Sequence, residues 1–292
     1  MTSSWMIVAG FLFATMAVFV KLGAAHFDAA ELAFYRSAVT LVMALGVIKA
    51  AGGTVRTQHL KWHLSRGIAG GISLIGYFYA ISKLPLATAQ TLNYTSPIFL
   101  VIATVVILRE RFSPWLVAAV VLGFAGVSLL LQPTLAGGEA FAAVIGLLSG
   151  VIAAWAYVSV RALGRAGEPD SRVVFWFGVV ATVGCGLWQL IFSTFHRITG
   201  ENAWLLLGIG VSATFAQLAM TRAYRLGNTL VVSALSYSNL VFGAVFTYVI
   251  WREDLAPMEW VGMAVIIASG LIAMVAEKRR SLDAGLRRHD SG

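Results

Sequence analysis

Ten stretches of roughly 20 mostly apolar residues follow one another, at 4–25, 28–51, 62–82, 86–108, 114–132, 139–163, 171–194, 202–226, 228–251 and 257–276. No other feature constrains the fold as much. A hydrocarbon layer of ~30 Å crossed at ~1.5 Å per residue needs helices of this length. Because lipid offers backbone groups no partner, the crossing segments satisfy them internally as helices. The chain is 59% hydrophobic and only 12% charged, about half the charged share of a soluble domain. The expected class is an all-α membrane protein embedded in the lipid bilayer. The net charge of +8 sits in short connections and the C-terminal tail, not on one face or arm, so nucleic acid is not expected as a partner. The single Cys185 excludes an internal disulfide or a cysteine-rich metal site. Met1–Trp5 has no basic n-region and no cleavage site, so the first run is expected to stay as a helix.

The ends of several runs carry helix-start chemistry. Asp28 is placed to cap the second run, with Glu31 in its first turn, where a carboxylate suits the helix dipole. Ser113-Pro114 and Ala256-Pro257 put proline where its missing N–H costs nothing. Counting Lys and Arg in alternate connections gives 16 on the side that holds both termini and 4 on the other, with Arg36 inside a span. The positive-inside rule therefore predicts cytoplasmic termini in an inner membrane.

The two halves of the chain repeat. Tyr94-Thr95-Ser96-Pro97-Ile98-Phe99 matches Tyr237-Ser238-Asn239-Leu240-Val241-Phe242 at a separation of 143 positions. The same separation matches Leu108-Arg109-Glu110-Arg111-Phe112-Ser113-Pro114 to Trp251-Arg252-Glu253-Asp254-Leu255-Ala256-Pro257. Five spans per copy is an odd number, so the second copy enters the membrane upside down. Glu110 and Glu253 beside their arginines read as loop ion pairs that fix the corners of the two copies.

Arg109-Glu110-Arg111-Phe112-Ser113-Pro114, followed by Gly123-Phe124-Ala125-Gly126, resembles the fourth-to-fifth helix signature of EamA-type carriers in the drug/metabolite transporter superfamily. Phe34-Tyr35-Arg36 with Ala38, and Pro97 in mid-helix, resemble further patterns of that family. The resemblance covers nearly the whole chain. It implies ten transmembrane helices as two inverted five-helix repeats around a central cavity, with helices one to four and six to nine as its walls. It also implies that helices five and ten are peripheral, where relatives often form a homodimer. The repeats would occupy 1–133 and 138–277, leaving 278–292 as a basic cytoplasmic tail. Relatives move amino acids, nucleotide-derived metabolites, vitamins, carboxylates and amines, so the resemblance implies a transporter without fixing its cargo.

Candidate binding residues follow from helical spacing. Gln90, Asn93, Tyr94 and Pro97 share one face, as do Ser233, Ser236, Tyr237 and Leu240. Polar groups at mid-membrane are expected to face protein, water or ligand. These stripes read either as pocket walls or as hydrogen-bonding glue between helices. Pro97 removes a backbone donor and frees the Asn93 carbonyl. Tyr77, Trp155 and Gln217 are similar candidates, and Trp176 is either a pocket residue or part of the interfacial belt. Arg36 reads as a contact for a carboxylate-bearing substrate, or as a snorkelling side chain that bonds helix-end carbonyls. In the resemblance, carriers with quite different cargo share this arginine.

All 13 acidic residues fall in loops, tails or helix ends. Drug/proton antiporters of the superfamily have a glutamate in the first helix, where this chain has Thr15 and Met16, so a buried carboxylate proton relay is not expected. No Walker sequence occurs. No nucleophile, base or metal cluster is legible either: the histidines look isolated, no cofactor is implied and the chain does not read as an enzyme. The expected function is a secondary transporter of small organic metabolites, amino acids or related aromatic or zwitterionic compounds, working by alternating access. Carboxylates, vitamins and nucleotide-derived metabolites are alternative cargo, and a membrane-embedded enzyme is the alternative from another class.

Overall fold

The computed structural model describes residues 2–84, 86–108, 114–132, 139–252 and 255–289. The expected ion pairs of Glu110 and Glu253 lie outside the described residues. Within them the chain forms α1 (Trp5–Gly23), α2 (Ala29–Ala50), α3 (Leu60–Lys83), α4 (Leu86–Asn93), α5 (Ser96–Leu108), α6 (Pro114–Leu131), α7 (Ala140–Arg165), α8 (Asp170–Phe192), α9 (Gly200–Leu226), α10 (Thr229–Ser236), α11 (Ser238–Phe246) and α12 (Pro257–His289). A single π turn over Thr247–Trp251 follows α11 and ends at Arg252, whose φ of 53° is left-handed.

Eight helical stretches among the described residues are long and apolar enough to cross a bilayer. The expected spans 62–82 and 86–108 are helical too but fall outside that set. The first carries Lys61, His63 and Arg66 in its opening turns, and the second is interrupted between Asn93 and Ser96. That break follows from Pro97, which has no N–H to donate back to the Asn93 carbonyl. The Thr95 hydroxyl closes the gap by donating to the Leu92 carbonyl at 2.6 Å. The second copy breaks at the matching place, at Tyr237 between α10 and α11, without a proline.

The end of the bundle that holds the N-terminus also holds the α2–α3, α7–α8 and α9–α10 connections. Asn228 N donates to Ser3 Oγ at 3.2 Å, Arg161 Nη1 to the Gly227 carbonyl at 2.9 Å, and Thr57 bonds Glu168. At the other end the α8–α9 connection meets the start of α2. Thus α1 starts and α7 ends at the same face, so the second copy is inverted.

Packing repeats with the same symmetry. The closest partners are α3 with α7, α1 with α9, α2 with α8, and α6 with α12. Exchanging every helix for its counterpart in the other copy returns the same set of pairs. Close backbone approach makes this possible. A Cβ on Gly67 would lie 2.6 Å from Val180 Cβ, and one on Gly210, 143 positions later, 2.3 Å from Val39 Cβ. Lipid tails are as apolar as leucine, so close packing at such small residues drives helix association in membranes. The α6–α12 pair packs chiefly on itself and on the broken helices, at the edge of the bundle.

Polar clasps fasten both faces. Asp28 stands at the N-cap of α2 without capping it; instead its carboxylate accepts from Ser193 Oγ at 2.7 Å. Buried Glu31 accepts from the backbone N–H of His196 at 2.9 Å and lies 2.7 Å from its Nδ1. On the N-terminal face Glu168 accepts from Thr57 and, at 2.8 Å, from Arg172, and His63 lies 3.6 Å away. His196 and His63 therefore have carboxylate partners that sequence spacing hid.

The hydrogen bond to Glu31, with the Glu31 and Asp28 charges, raises the His196 pKa above its ordinary value. A raised folded-state value means that the clasp contributes fully below the ordinary imidazole pKa of about 6.5 and is lost as pH rises through the higher one. The melting temperature is therefore expected to fall between pH 6 and pH 8.5. His196→Gln should flatten that dependence, as scanning fluorimetry across the range would show.

Candidate functional site

The two helix breaks meet at the centre of the bundle. Asn239, the second residue of α11, donates its amide to the hydroxyl of Tyr94, which sits in the break between α4 and α5. The Tyr94 and Tyr237 rings are 6.4 Å apart. Around the Tyr94–Asn239 bond lies a cavity of about 90 Å³, lined from α1, the α4–α5 break, α7, α9 and the α10–α11 break. Gly10 of α1 and Gly150 of α7 let their helices approach the breaks. A Cβ on Gly10 would lie 2.6 Å from Ser238 Oγ, and one on Gly150 2.7 Å from Thr95 Oγ1. Ser238 and Thr95 are symmetry-matched positions, so both repeats build the cavity in the same way.

Of the residues on the two stripes expected from sequence, Asn93, Tyr94, Pro97 and Ser236 line the cavity. Asn93 Nδ2 also donates to Ser149 Oγ at 2.9 Å, tying the break to α7. Ser236 Oγ donates to the Ser233 carbonyl at 2.7 Å. Gln90 pairs with Tyr77, whose ring packs in a separate cluster with Ala80, Leu84 and Ala142. Gln217 is buried, and its Oε1 has no hydrogen-bond partner among the described residues. Trp155 is 41% exposed, and its indole donates to Ser65 Oγ at 2.9 Å, joining α7 to α3. The Trp176 indole donates to the Val55 carbonyl at 3.1 Å, beside the α2–α3 connection.

Tyr237 turns away from the cavity into a cluster with Val127, Leu130, Met263 and Ile266 of α6 and α12. It is fully buried, and its hydroxyl has no partner among the described residues. A buried unpaired hydroxyl carries a desolvation penalty of about 1–3 kcal/mol. Tyr237→Phe is thus expected to leave the melting temperature unchanged or raised and transport intact, as purified wild type and variant compared side by side would show.

Several cavity residues escaped the sequence reading. Tyr157 of α7 and Tyr224 of α9 line it, stacked with ring centroids 5.0 Å apart. Asn239 falls two positions beyond Tyr237, off the stripe that the spacing selected. Arg66, one of the 16 basic residues that the charge count placed in connections, does not line the cavity but is only 5% exposed inside α3, its guanidinium 4.2 Å above the Phe177 ring. Its position within the span 62–82 was the available signal. No group of three or more His, Cys, Asp or Glu among the described residues could hold a metal ion.

The sequence profile of the EamA-like transporter family matches residues 1–132 and again 140–275. The chain belongs to the EamA-like transporter family. Among its relatives, the pseudopaline exporter CntI of Pseudomonas aeruginosa is 34% identical over 274 residues, 92% of each chain. A riboflavin transporter of Rhizobium johnstonii is 26% identical over 282 residues, 94% of this chain and 91% of the other. A solved crystal structure superposes with a TM-score of 0.84 at 20% identity, covering 95% of this chain and 98% of its own, and so shows the same fold. The EamA-like repeats thus coincide with the two halves whose breaks enclose the cavity. The family and the named relatives point to transport of small molecules across a membrane, not to an enzyme.

Proposed function

We propose that this chain is a secondary carrier for small aromatic or zwitterionic metabolites, amino acids and their relatives first among them. It would alternate access to the cavity between its two faces. The observation that carries the reading is the cavity itself, enclosed where the broken helices of two inverted repeats meet. Discontinuous helices at a repeat interface are the usual site of substrate binding in such carriers. Aromatic walls from Tyr94, Tyr157 and Tyr224 suit a ring, and Asn93, Asn239 and Ser236 offer amides and a hydroxyl to its polar groups.

At about 90 Å³ the cavity is smaller than the roughly 300–1,000 Å³ of a typical small-molecule pocket. Binding would therefore spread the helices around the breaks, a movement alternating access also requires. Vitamins, carboxylates and nucleotide-derived compounds are alternative cargo, since a named relative carries riboflavin. The chain would lie in the inner membrane with both termini in the cytoplasm, residues 1–133 and 138–277 as its repeats and 278–292 as a basic tail. A homodimer would form through the outer faces of α6 and α12.

Counterflow into proteoliposomes tests the reading, with labelled amino acids, organic acids, nucleosides and riboflavin. Saturable exchange of at least one compound is expected; flux no greater than in empty liposomes for all of them would overturn it.

A further inference from the structure

Two arginines lie inside the bundle without an acid beside them. Arg66 is 5% exposed, and Arg36 is half-buried within the packed helices. Among the described residues neither Nε finds an acceptor, and neither side chain joins an ion pair. Three arginines on the N-terminal face are provided for. Arg161 caps the carbonyls ending α9, Arg172 pairs with Glu168, and Arg225 with Asp170 at 2.7 Å.

An unpaired buried guanidinium is costly in any protein and more so across from lipid. Phe177 gives Arg66 the face of its ring, which attracts a cation but supplies no countercharge. Helix α3, which carries Arg66, packs along α7, and α2, which carries Arg36, packs along α9; those two partners bear Tyr157 and Tyr224. These are the stacked rings that line the cavity. The unpaired charge therefore borders the site described above.

Depth adds a second element. Counting from Ala29 to Arg36 along α2 and from Leu60 to Arg66 along α3, the arginines lie roughly 10 Å and 9 Å below their helix ends, at ~1.5 Å per residue. Those ends are on opposite faces: Ala29 beside the Glu31–His196 clasp, Leu60 beside the contact of Thr57 with Glu168. The two arginines thus enter a ~30 Å layer from opposite faces, each about a third of the way in.

We propose that Arg36 and Arg66 form a two-step site for an anionic group of the substrate, a carboxylate above all, with Tyr157 and Tyr224 donating hydroxyls from the cavity wall. A guanidinium matches a carboxylate with two parallel N–H donors. Arg36 would meet the anion from one face and Arg66 from the other, so that the arriving substrate supplies the missing countercharge. This rests on the carrier reading above and narrows its cargo to compounds that carry an acid group.

The test uses the purified full-length chain and pairs of compounds that differ only in charge: phenylacetate and phenylacetamide, indole-3-acetate and indole-3-acetamide, tryptophan and tryptophanamide. Thermal stability is read for each at matched ionic strength, with sodium chloride and sodium phosphate alone as controls. At least one acid should raise the melting temperature well above its amide. Arg36→Gln and Arg66→Gln should each weaken that acid at least about tenfold, the scale of a lost charge-assisted contact, with partial recovery in the lysine variants. Acids no better than their amides, a shift unchanged in both glutamine variants, or the same shift from chloride or phosphate alone would overturn the proposal. If the glutamine variants fail to fold, the acid–amide difference in the wild-type chain decides. Counterflow of uncharged compounds without acid preference would remove the arginine site and leave the carrier. An acid-specific shift without any flux would do the reverse.

Discussion

Gly210→Leu is expected to keep the bundle from closing. A Cβ at this position would lie 2.3 Å from Val39 Cβ and 2.4 Å from its Cγ1. Real side chains do not tolerate such distances, and the crowding atom is the branch point of valine, which cannot swing aside. Helix α9 would have to move off α2, and it also packs along α1. Overpacking a core ordinarily costs about 1–3 kcal/mol; a whole leucine at a backbone contact should reach the top of that range or exceed it. Gly67→Leu, at the symmetry-matched place against Val180, should behave alike. Gly46→Leu should be harmless, because nothing lies within 4 Å of its added Cβ. The measurement is folded yield in membranes together with melting temperature. A second substitution, Val39→Gly, which removes the crowding Cβ, should recover part of the loss in Gly210→Ala. Equal melting temperatures for Gly210→Leu and Gly46→Leu would mean that α2 and α9 are farther apart than described.

Tyr94→Ala should have the largest effect on transport. It removes a cavity wall and leaves the Asn239 amide without the hydroxyl it donates to. A lost hydrogen bond of this kind is worth about 0.5–1.5 kcal/mol net, and an unpaired buried amide about 1–3, so the specific rate of counterflow should fall about tenfold to a hundredfold. Tyr94→Phe keeps the ring and should fall between wild type and alanine. Tyr237→Ala should act differently. It empties a packed cluster between α6 and α12, at a cost of about 3–5 kcal/mol for a buried aromatic, so it should lower the melting temperature before it alters substrate affinity. Tyr94→Ala with unchanged counterflow kinetics and normal membrane levels would show that Tyr94 only packs.

That the two tyrosines part company illustrates what a membrane sequence leaves open. They match across the repeat at 143 positions, and helical spacing put each on a polar stripe. In a soluble helix the apolar face points inward, and periodicity finds it. In a bilayer the lipid face is as apolar as the core, so periodicity groups residues on a face without saying where that face points. Tyr94 reached the cavity, Tyr237 the α6–α12 contact, and Trp155 an exposed edge of α7. The polar pairs were hidden for another reason. Glu31 and His196 are 165 positions apart, and no local rule joins them.

The chain's own order of residues decided its membrane-spanning character, its helical segments and its inverted duplication. Hydrocarbon thickness sets the length of each apolar run, backbone hydrogen bonding makes each run a helix, and the odd number of spans expected per copy turns the second copy over. Only the tertiary structure decided which polar side chains meet, that Arg66 is buried without an acid beside it among the described residues, and that the two helix breaks enclose a cavity. Those outcomes depend on rotation and approach of helices past one another, fixed by close contacts such as Gly210 on Val39 that become visible only once the helices are packed.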